Sequence, residues 1–313
     1  MLKAEVETKK RRGLWDLDFR FHPSAVRFGL SWGHSDQTGS AMDPVAFHLG
    51  SLTIRWYGVF VALGFLAGFL LAQARAGKLG LDSNVAADIV LAAMVGGILG
   101  ARLLYVAQSW SEYRGQPLEI IRIDHGGLVF NGGVIGAMVA LYGLCRIRSL
   151  SPRVVGDLLA PALPLGHALG RVGCYLNGCC FGHPYSGAGA VHYPAEGSVL
   201  YVQAQQHLVA AGATECLPVF PIQLVSAAVN LALCAILLYL GTRIKSRGLL
   251  FPLYLILFAV TRFCIEFGRG DYLDRVGPLT PAQAVCLVLL PAGITWFVVA
   301  WRSAGARTDA HAN

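Results

Sequence analysis

Three charged residues fall where charge is expensive. Arg262, Glu266 and Arg269 stand at i, i+4 and i+7 in an otherwise apolar stretch from about Gly248 to Arg269, a spacing that lines them along one helix face. A charge near the middle of a bilayer costs at least about 2.5–3.5 kcal/mol on insertion scales, so such residues face a cavity or a partner. The stripe therefore reads as an internal ion pair with Arg269 snorkelling at the end, or as a site for a polar head group. Arg171 offers the same choice. Gly166, Gly170 and Gly173 surround it and leave space for a bulky anion, and a guanidinium grips phosphate oxygens with two parallel hydrogen bonds, which lysine cannot do. The structural alternative is a pair between Arg171 and Asp157 that pins two helix segments.

The run Asp157-Leu158-Leu159-Ala160-Pro161-Ala162-Leu163-Pro164 places two prolines in apolar sequence, which predicts a helix broken beside a cavity. In His125-Gly126-Gly127-Leu128-Val129-Phe130-Asn131-Gly132-Gly133, paired glycines permit a re-entrant backbone presenting His125 and Asn131, and serve helix packing equally well. Arg55-Trp56-Tyr57-Gly58 marks a helix start with the aromatics of an interfacial belt. Of eight cysteines, Cys145, Cys234, Cys264 and Cys286 lie singly in apolar helices and read as packing residues. Cys174, Cys179 and Cys180 cluster, with Cys216 farther along. On an oxidising face a disulfide within the cluster or to Cys216 is the first expectation. A metal site that adds His183 is the other reading, but the spacing matches no standard zinc pattern and no metal is expected.

The elements that must position these groups are membrane helices. Over half of the 313 residues, 55%, are hydrophobic and only 14% are charged, outside the usual range for a soluble domain of this size. A span needs about 20 apolar residues, and Trp56 to Ala74, Gly126 to Cys145, Cys216 to Gly241 and Val276 to Trp301 supply that without one charged residue. Three more segments carry charge: about Val85 to Gln108 with Asp88 and Arg102, Val154 to Asn177 with Asp157 and Arg171, and Gly248 to Arg269. The expected fold is an all-α integral membrane protein of about seven transmembrane helices, with a re-entrant Gly-rich segment and one long periplasmic loop.

Orientation follows from Lys and Arg in the loops. Arg75 and Lys78, then Arg146, Arg148 and Arg153, then Arg243, Lys245 and Arg247, and the tail all read as cytoplasmic, whereas residues 179–217 contain neither Lys nor Arg and read as outward. The C-terminus is then cytoplasmic and the N-terminus periplasmic. Residues 1–42 oppose that arrangement with seven Lys and Arg, so this extension is expected to be disordered or not native, ahead of a membrane domain over 43–302 and a cytoplasmic tail over 303–313. It has no signal-peptide pattern. The net charge of +7 is spread through short loops with no continuous basic patch, which argues against nucleic acid, and no internal repeat suggests a two-fold transporter.

Taken in order, these stretches resemble the prolipoprotein diacylglyceryl transferase family. Asp43-Pro44-Val45 with Trp56-Tyr57-Gly58 is similar to its opening, and Gly100-Ala101-Arg102 with Tyr105 to its second helix. Gly126-Gly127 through Asn131-Gly132-Gly133 is similar to its Gly-Gly-x-x-Phe-His-Gly-Gly, and Asp157, Ala160, Pro161, Pro164 and Gly166 to its fourth span. Gly170, Arg171, Gly173 and Asn177 match Gly-Arg-x-Gly-Asn-Phe-x-Asn-x-Glu, Pro221-Ile222-Gln223-Leu224 resembles Pro-Ser-Gln-Leu, and Arg262, Glu266 and Arg269 fit Arg-x-x-x-Glu-x-x-Arg.

The resemblance implies an inner-membrane enzyme that moves the diacylglyceryl group of phosphatidylglycerol onto the lipobox cysteine thiol of a prolipoprotein, releasing glycerol phosphate without a cofactor. It implies catalytic roles for Arg171, Arg262, His125 and Asn131, and substrate binding by Tyr57, Arg102, Asn177, Gln223, Glu266 and Arg269. The chain departs from the family pattern at Asn131, where the family has histidine, and at Cys174 and Cys179, where it has asparagine and glutamate. Asn131 is no base near neutral pH, which leaves His125 as the candidate. A paralogue with another acceptor, and a non-enzymatic lipid transporter or sensor, are the competing readings.

Overall fold

From Pro44 the chain forms a short antiparallel hairpin, β1 (Val45–Leu49) and β2 (Leu52–Arg55), with Val45 opposite Arg55 and His48 opposite Thr53. It then turns at Trp56 directly into α1 (Trp56–Ala76). In this computed structural model the described residues are 44–310, apart from 50–51, 116, 122–126, 195–196, 211, 245 and 274. The N-terminal extension and His125 lie outside the described residues.

Five helices are long and apolar enough to cross a membrane: Trp56–Leu79, Ser83–Gln108, Phe130–Ile147, Ile222–Arg243 and Pro281–Ser303. They correspond to α1 with a following 3-10 turn, α2 (Ser83–Gln108), α4 (Phe130–Ile147), α8 (Ile222–Arg243) and α10 (Pro281–Ala310), with the single-turn α3 (Trp110–Tyr113) between the second and third. The remaining two expected spans are built differently. One is the 17-residue α9 (Leu250–Glu266). The other is split into α5 (Pro152–Leu159) and α6 (Ala162–Asn177), with Pro161 at the junction. Pro164 sits in the first turn of α6, where a missing N–H leaves no helix bond unmade. Apolar side chains along these helices are exposed, Leu103 to 64% and Val288 to 69% among them, a run of outward-facing apolar surface that suits lipid as the solvent.

The described residues divide into two compact units, one formed by residues 92–141 and the other by residues 44–91 together with 142–310. In the first, α2 and α4 approach through glycine: a Cβ on Gly100 would lie 2.7 Å from the Cα of Gly136. Phe130 to Gly133, part of the stretch expected to re-enter, is the first turn of α4, so its glycines serve helix packing. Gly127 to Val129 has no regular structure.

In the second unit α6 is the central element. It lies against α1, where a Cβ on Gly64 would stand 3.1 Å from the Gly166 carbonyl oxygen, and against α8 on another side, while α9 packs on α10. Asp157, buried at the end of α5, does not pair with Arg171. Its carboxylate accepts from the backbone N–H groups of Gly248, Leu250 (2.9 Å) and Phe251 (3.0 Å), capping the otherwise unpaired start of α9. The outward loop carries its own small core of Phe181, Tyr193, Val199 and Val219, the third of these from α7 (Ser198–Gln205).

Candidate functional site

The site begins on α6. Arg171 donates from Nε to Nε2 of His167, one turn earlier, at 3.1 Å. No carboxylate among the described residues pairs with Arg171, so its two terminal nitrogens keep their forked geometry for an outside acceptor. Arg171 and Arg262 are close enough for their charges to act on one another. Two neighbouring guanidiniums repel, and an anion between them relieves that repulsion.

The stripe on α9 is an ion network. Arg262 Nη1 lies 2.7 Å and Arg269 Nη1 3.7 Å from the Glu266 carboxylate, which is fully buried. Thr280 Oγ1 donates to Glu266 at 3.2 Å. Arg269 does not snorkel: it is 9% exposed, holds Asp271 through two bonds of 2.9 and 2.7 Å, and lies 4.4 Å from the Tyr272 ring centroid. Burial pushes the Asp271 carboxyl above the usual carboxylate range while the Arg269 charge pulls it down. Beside this pair opens a cleft of about 240 Å³ lined by His183, Gln206, Arg269, Tyr272 and Arg275 among others, a cationic mouth suited to a phosphate.

The end of α6 explains the cysteines. Gly178 ends the helix at φ +69°, and its N–H bonds to the Tyr175 carbonyl at 3.3 Å while the Cys179 N–H bonds to the Cys174 carbonyl at 3.1 Å. This is the Schellman pattern, which places the residue after the glycine against the one five positions earlier. Cys180 follows with φ +58°, uncommon for a residue with a side chain. The three sulfurs consequently lie within 4.8 Å of one another, and all three are thiols. Side chains from farther along the chain hold this corner: Tyr193 donates to the Tyr175 carbonyl (2.9 Å), Ser198 to that of Gly178 (2.6 Å) and Gln223 to that of Cys179 (2.9 Å). Burial raises the Tyr193 phenol and keeps it a donor. Cys216 stands apart from the trio, bonded to the Tyr193 carbonyl at 3.0 Å, and His183 contacts the Phe267 carbonyl at 3.2 Å.

Of the other residues singled out from sequence, Tyr57 is 44% exposed at the start of α1, beside Gly173 of α6, and Asn177 is the last residue of α6. Asn131 and Arg102 belong to the unit of residues 92–141. Arg102 is 6% exposed, donates to the carbonyls of Glu119, Ile120 and Gly127, and lies over the rings of Tyr105 and Tyr113. That arrangement fastens the loop after α3. Sequence reasoning missed His167, and also Ser226 and Asn230, which with Gln223 make a buried polar stripe on α8. Their i, i+3, i+7 spacing in an apolar helix was the available signal.

A sequence model of the prolipoprotein diacylglyceryl transferase family matches residues 44–299. A Staphylococcus aureus (strain JH9) protein named phosphatidylglycerol–prolipoprotein diacylglyceryl transferase is 32% identical over 260 residues, covering 82% of this chain and 88% of its own. A protein of the same name from Staphylococcus aureus (strain MSSA476) is 33% identical over 262 residues, with the same coverage.

Proposed function

Because the chain belongs to the prolipoprotein diacylglyceryl transferase family, we propose that it transfers the diacylglyceryl group of phosphatidylglycerol to the lipobox cysteine thiol of a prolipoprotein, releasing glycerol phosphate. The enzyme works in the bacterial inner membrane with its N-terminus periplasmic and its C-terminus cytoplasmic, and nucleic acid has no part in it. The observation that carries the site assignment is the fork of Arg171, which has no carboxylate partner among the described residues, on a helix whose His167 ring lies 5.8 Å from Phe258 of the Arg262 helix. The two guanidiniums hold the lipid phosphate and offset the charge that develops on the leaving oxygen, in a site of low dielectric. Glu266 and Arg269 fix Arg262, and Tyr57, Asn177 and Gln223 border the head group. Arg102 holds the carbonyls of Glu119, Ile120 and Gly127, while Asn131 stands where the family has its histidine.

Purified protein, phosphatidylglycerol and a lipobox peptide test this directly, with the lipidated peptide read by mass spectrometry. Charge-assisted bonds are worth about 1.5–3 kcal/mol each. Arg171→Lys, which keeps the charge and loses the fork, should therefore lower the rate roughly tenfold or more, and Arg171→Gln further. Full activity in folded Arg171→Gln protein defeats the phosphate site. The departures at Asn131, Cys174 and Cys179 favour one second reading, a phosphatidylglycerol-using relative with a different acceptor. Consumption of the lipid with another thiol but not with the lipobox peptide would establish it.

A further inference from the structure

The reaction needs a thiolate, and a free thiol with a pKa of about 8.5 is mostly protonated at neutral pH. The family's histidine position holds Asn131, so the acceptor must be activated in some other way. The three thiols at the end of α6 offer one. Their sulfurs lie within 4.8 Å of one another, and zinc with Zn–S bonds of about 2.3 Å draws thiolates to about 3.7–4.0 Å apart. The corner that carries them is held by the Schellman cap and by Tyr193, Ser198 and Gln223. Cys179 Sγ has one weak backbone contact, 3.8 Å to the Cys174 carbonyl. Cys174 is three residues after Arg171, which puts this member of the trio and the phosphate fork on one helix face. Gly182 bridges to Arg269 and the Gly270 N–H bonds to the Phe181 carbonyl at 3.0 Å, bringing the Arg269 backbone next to the cysteine turn.

From this juxtaposition we infer that Cys174, Cys179 and Cys180 bind one zinc ion as thiolates, leaving a fourth position open for the acceptor thiol. The inference rests on the transfer reading for its role, though not for the site. Three protein ligands and one exchangeable position is the arrangement of catalytic zinc, whereas structural zinc has four protein ligands. A thiol that coordinates the ion gives up its proton. Binding the acceptor thus displaces water and releases the proton to solvent. The thiolate sulfur then attacks the glyceryl carbon that bears the phosphate ester: an S–C bond forms, the C–O bond breaks, and its electron pair leaves on glycerol phosphate beside Arg171. The thioether product is a poor ligand, and water returns to the metal. Three thiolates and Zn2+ sum to one negative charge, which the neighbouring arginines offset. A disulfide would use only two of the three sulfurs.

The test uses the full chain purified in detergent under reducing conditions, stripped of metal and titrated with Co2+ as a spectroscopic stand-in for zinc. One equivalent should bind with a thiolate-to-cobalt charge-transfer band that Zn2+ abolishes. The band should be lost in Cys179→Ser and in Cys180→Ser, each with a thermal transition like that of the metal-free parent. A band that survives both substitutions, the absence of any cobalt–thiolate band in the reduced parent, or a disulfide between two of the three cysteines in protein isolated from membranes without reductant would each overturn the site. Metal-free enzyme should transfer to the lipobox peptide at least tenfold more slowly than zinc-loaded enzyme, and equal rates would overturn the activating role. An intact cobalt site with no transfer from either form counts against the transfer reading and leaves the metal site standing.

Discussion

At the scale of single residues, the position of Arg171 matters as much as its charge. A guanidinium on an apolar helix swings through several rotamers, and each one lost on binding costs free energy. His167 removes part of that freedom by accepting from Nε at 3.1 Å, and its ring in turn lies 5.8 Å from that of Phe258. His167→Leu leaves the half-buried Nε donor without this acceptor, a cost of about 1–3 kcal/mol, and should lower kcat/KM for transfer about tenfold in protein that still folds. His167→Gln, which can still accept a hydrogen bond, should keep most of the activity. Equal activity in the leucine variant and the parent would remove His167 from the site. The arginines were legible in the sequence because charge in apolar runs is conspicuous, and the Arg262, Glu266 and Arg269 spacing gave their common face. His167 was not, since a lone histidine in an apolar helix is ordinary until its partner at i+4 is seen. The convergence of the cysteines was hidden for another reason: it depends on two left-handed residues, Gly178 and Cys180, on either side of Cys179, which spacing alone does not reveal.

At the scale of elements, the prolines at 161 and 164 correctly announced a broken span, but the partner of Asp157 could not be read from the sequence. Arg171 was the other charge within the expected span from Val154 to Asn177, while the actual partners are backbone N–H groups at the start of α9, over 90 residues away. A helix N-terminus attracts a carboxylate through unpaired donors and the helix dipole together. Asp157→Ala should therefore destabilise the protein by roughly 2–4 kcal/mol without changing the lipid affinity of the fraction that folds, whereas a pair with Arg171 would have coupled the two. Thermal unfolding in detergent alongside phosphatidylglycerol binding separates these outcomes. Glycine sets the other contact. Gly64 and Gly166 let α1 and α6 meet backbone to backbone, so Gly64→Leu should force the helices apart and shift Tyr57 away from Gly173. A variant that matched the parent in both melting temperature and activity would show that this approach is not needed.

At the scale of the molecule, charge in the loops sets which face is outside, and the outer face must be where a secreted acceptor arrives. The segment from Phe181 to Val219, with its own core around Tyr193 and Val199, contains no Lys or Arg, while Arg243, Lys245 and Arg247 follow one another closely in sequence from the end of α8. Placing several cations on the outer side runs against the positive-inside bias, so the loop should be periplasmic and the cationic stretch cytoplasmic. The cysteine trio, the Arg269 cleft and the open end of α6 would then all lie near the outer membrane–water boundary. There a lipobox thiol can reach a phosphate held at the level of the lipid head groups, and the released glycerol phosphate has a direct way out to water. Alkaline phosphatase is active only after export, which makes it a suitable reporter. Fused after Gly187 it should be active, and fused after Ser246 inactive, at equal levels of expressed protein. The opposite pattern would put the cationic stretch outside and the cysteine corner in the cytoplasm, where no secreted thiol could meet it.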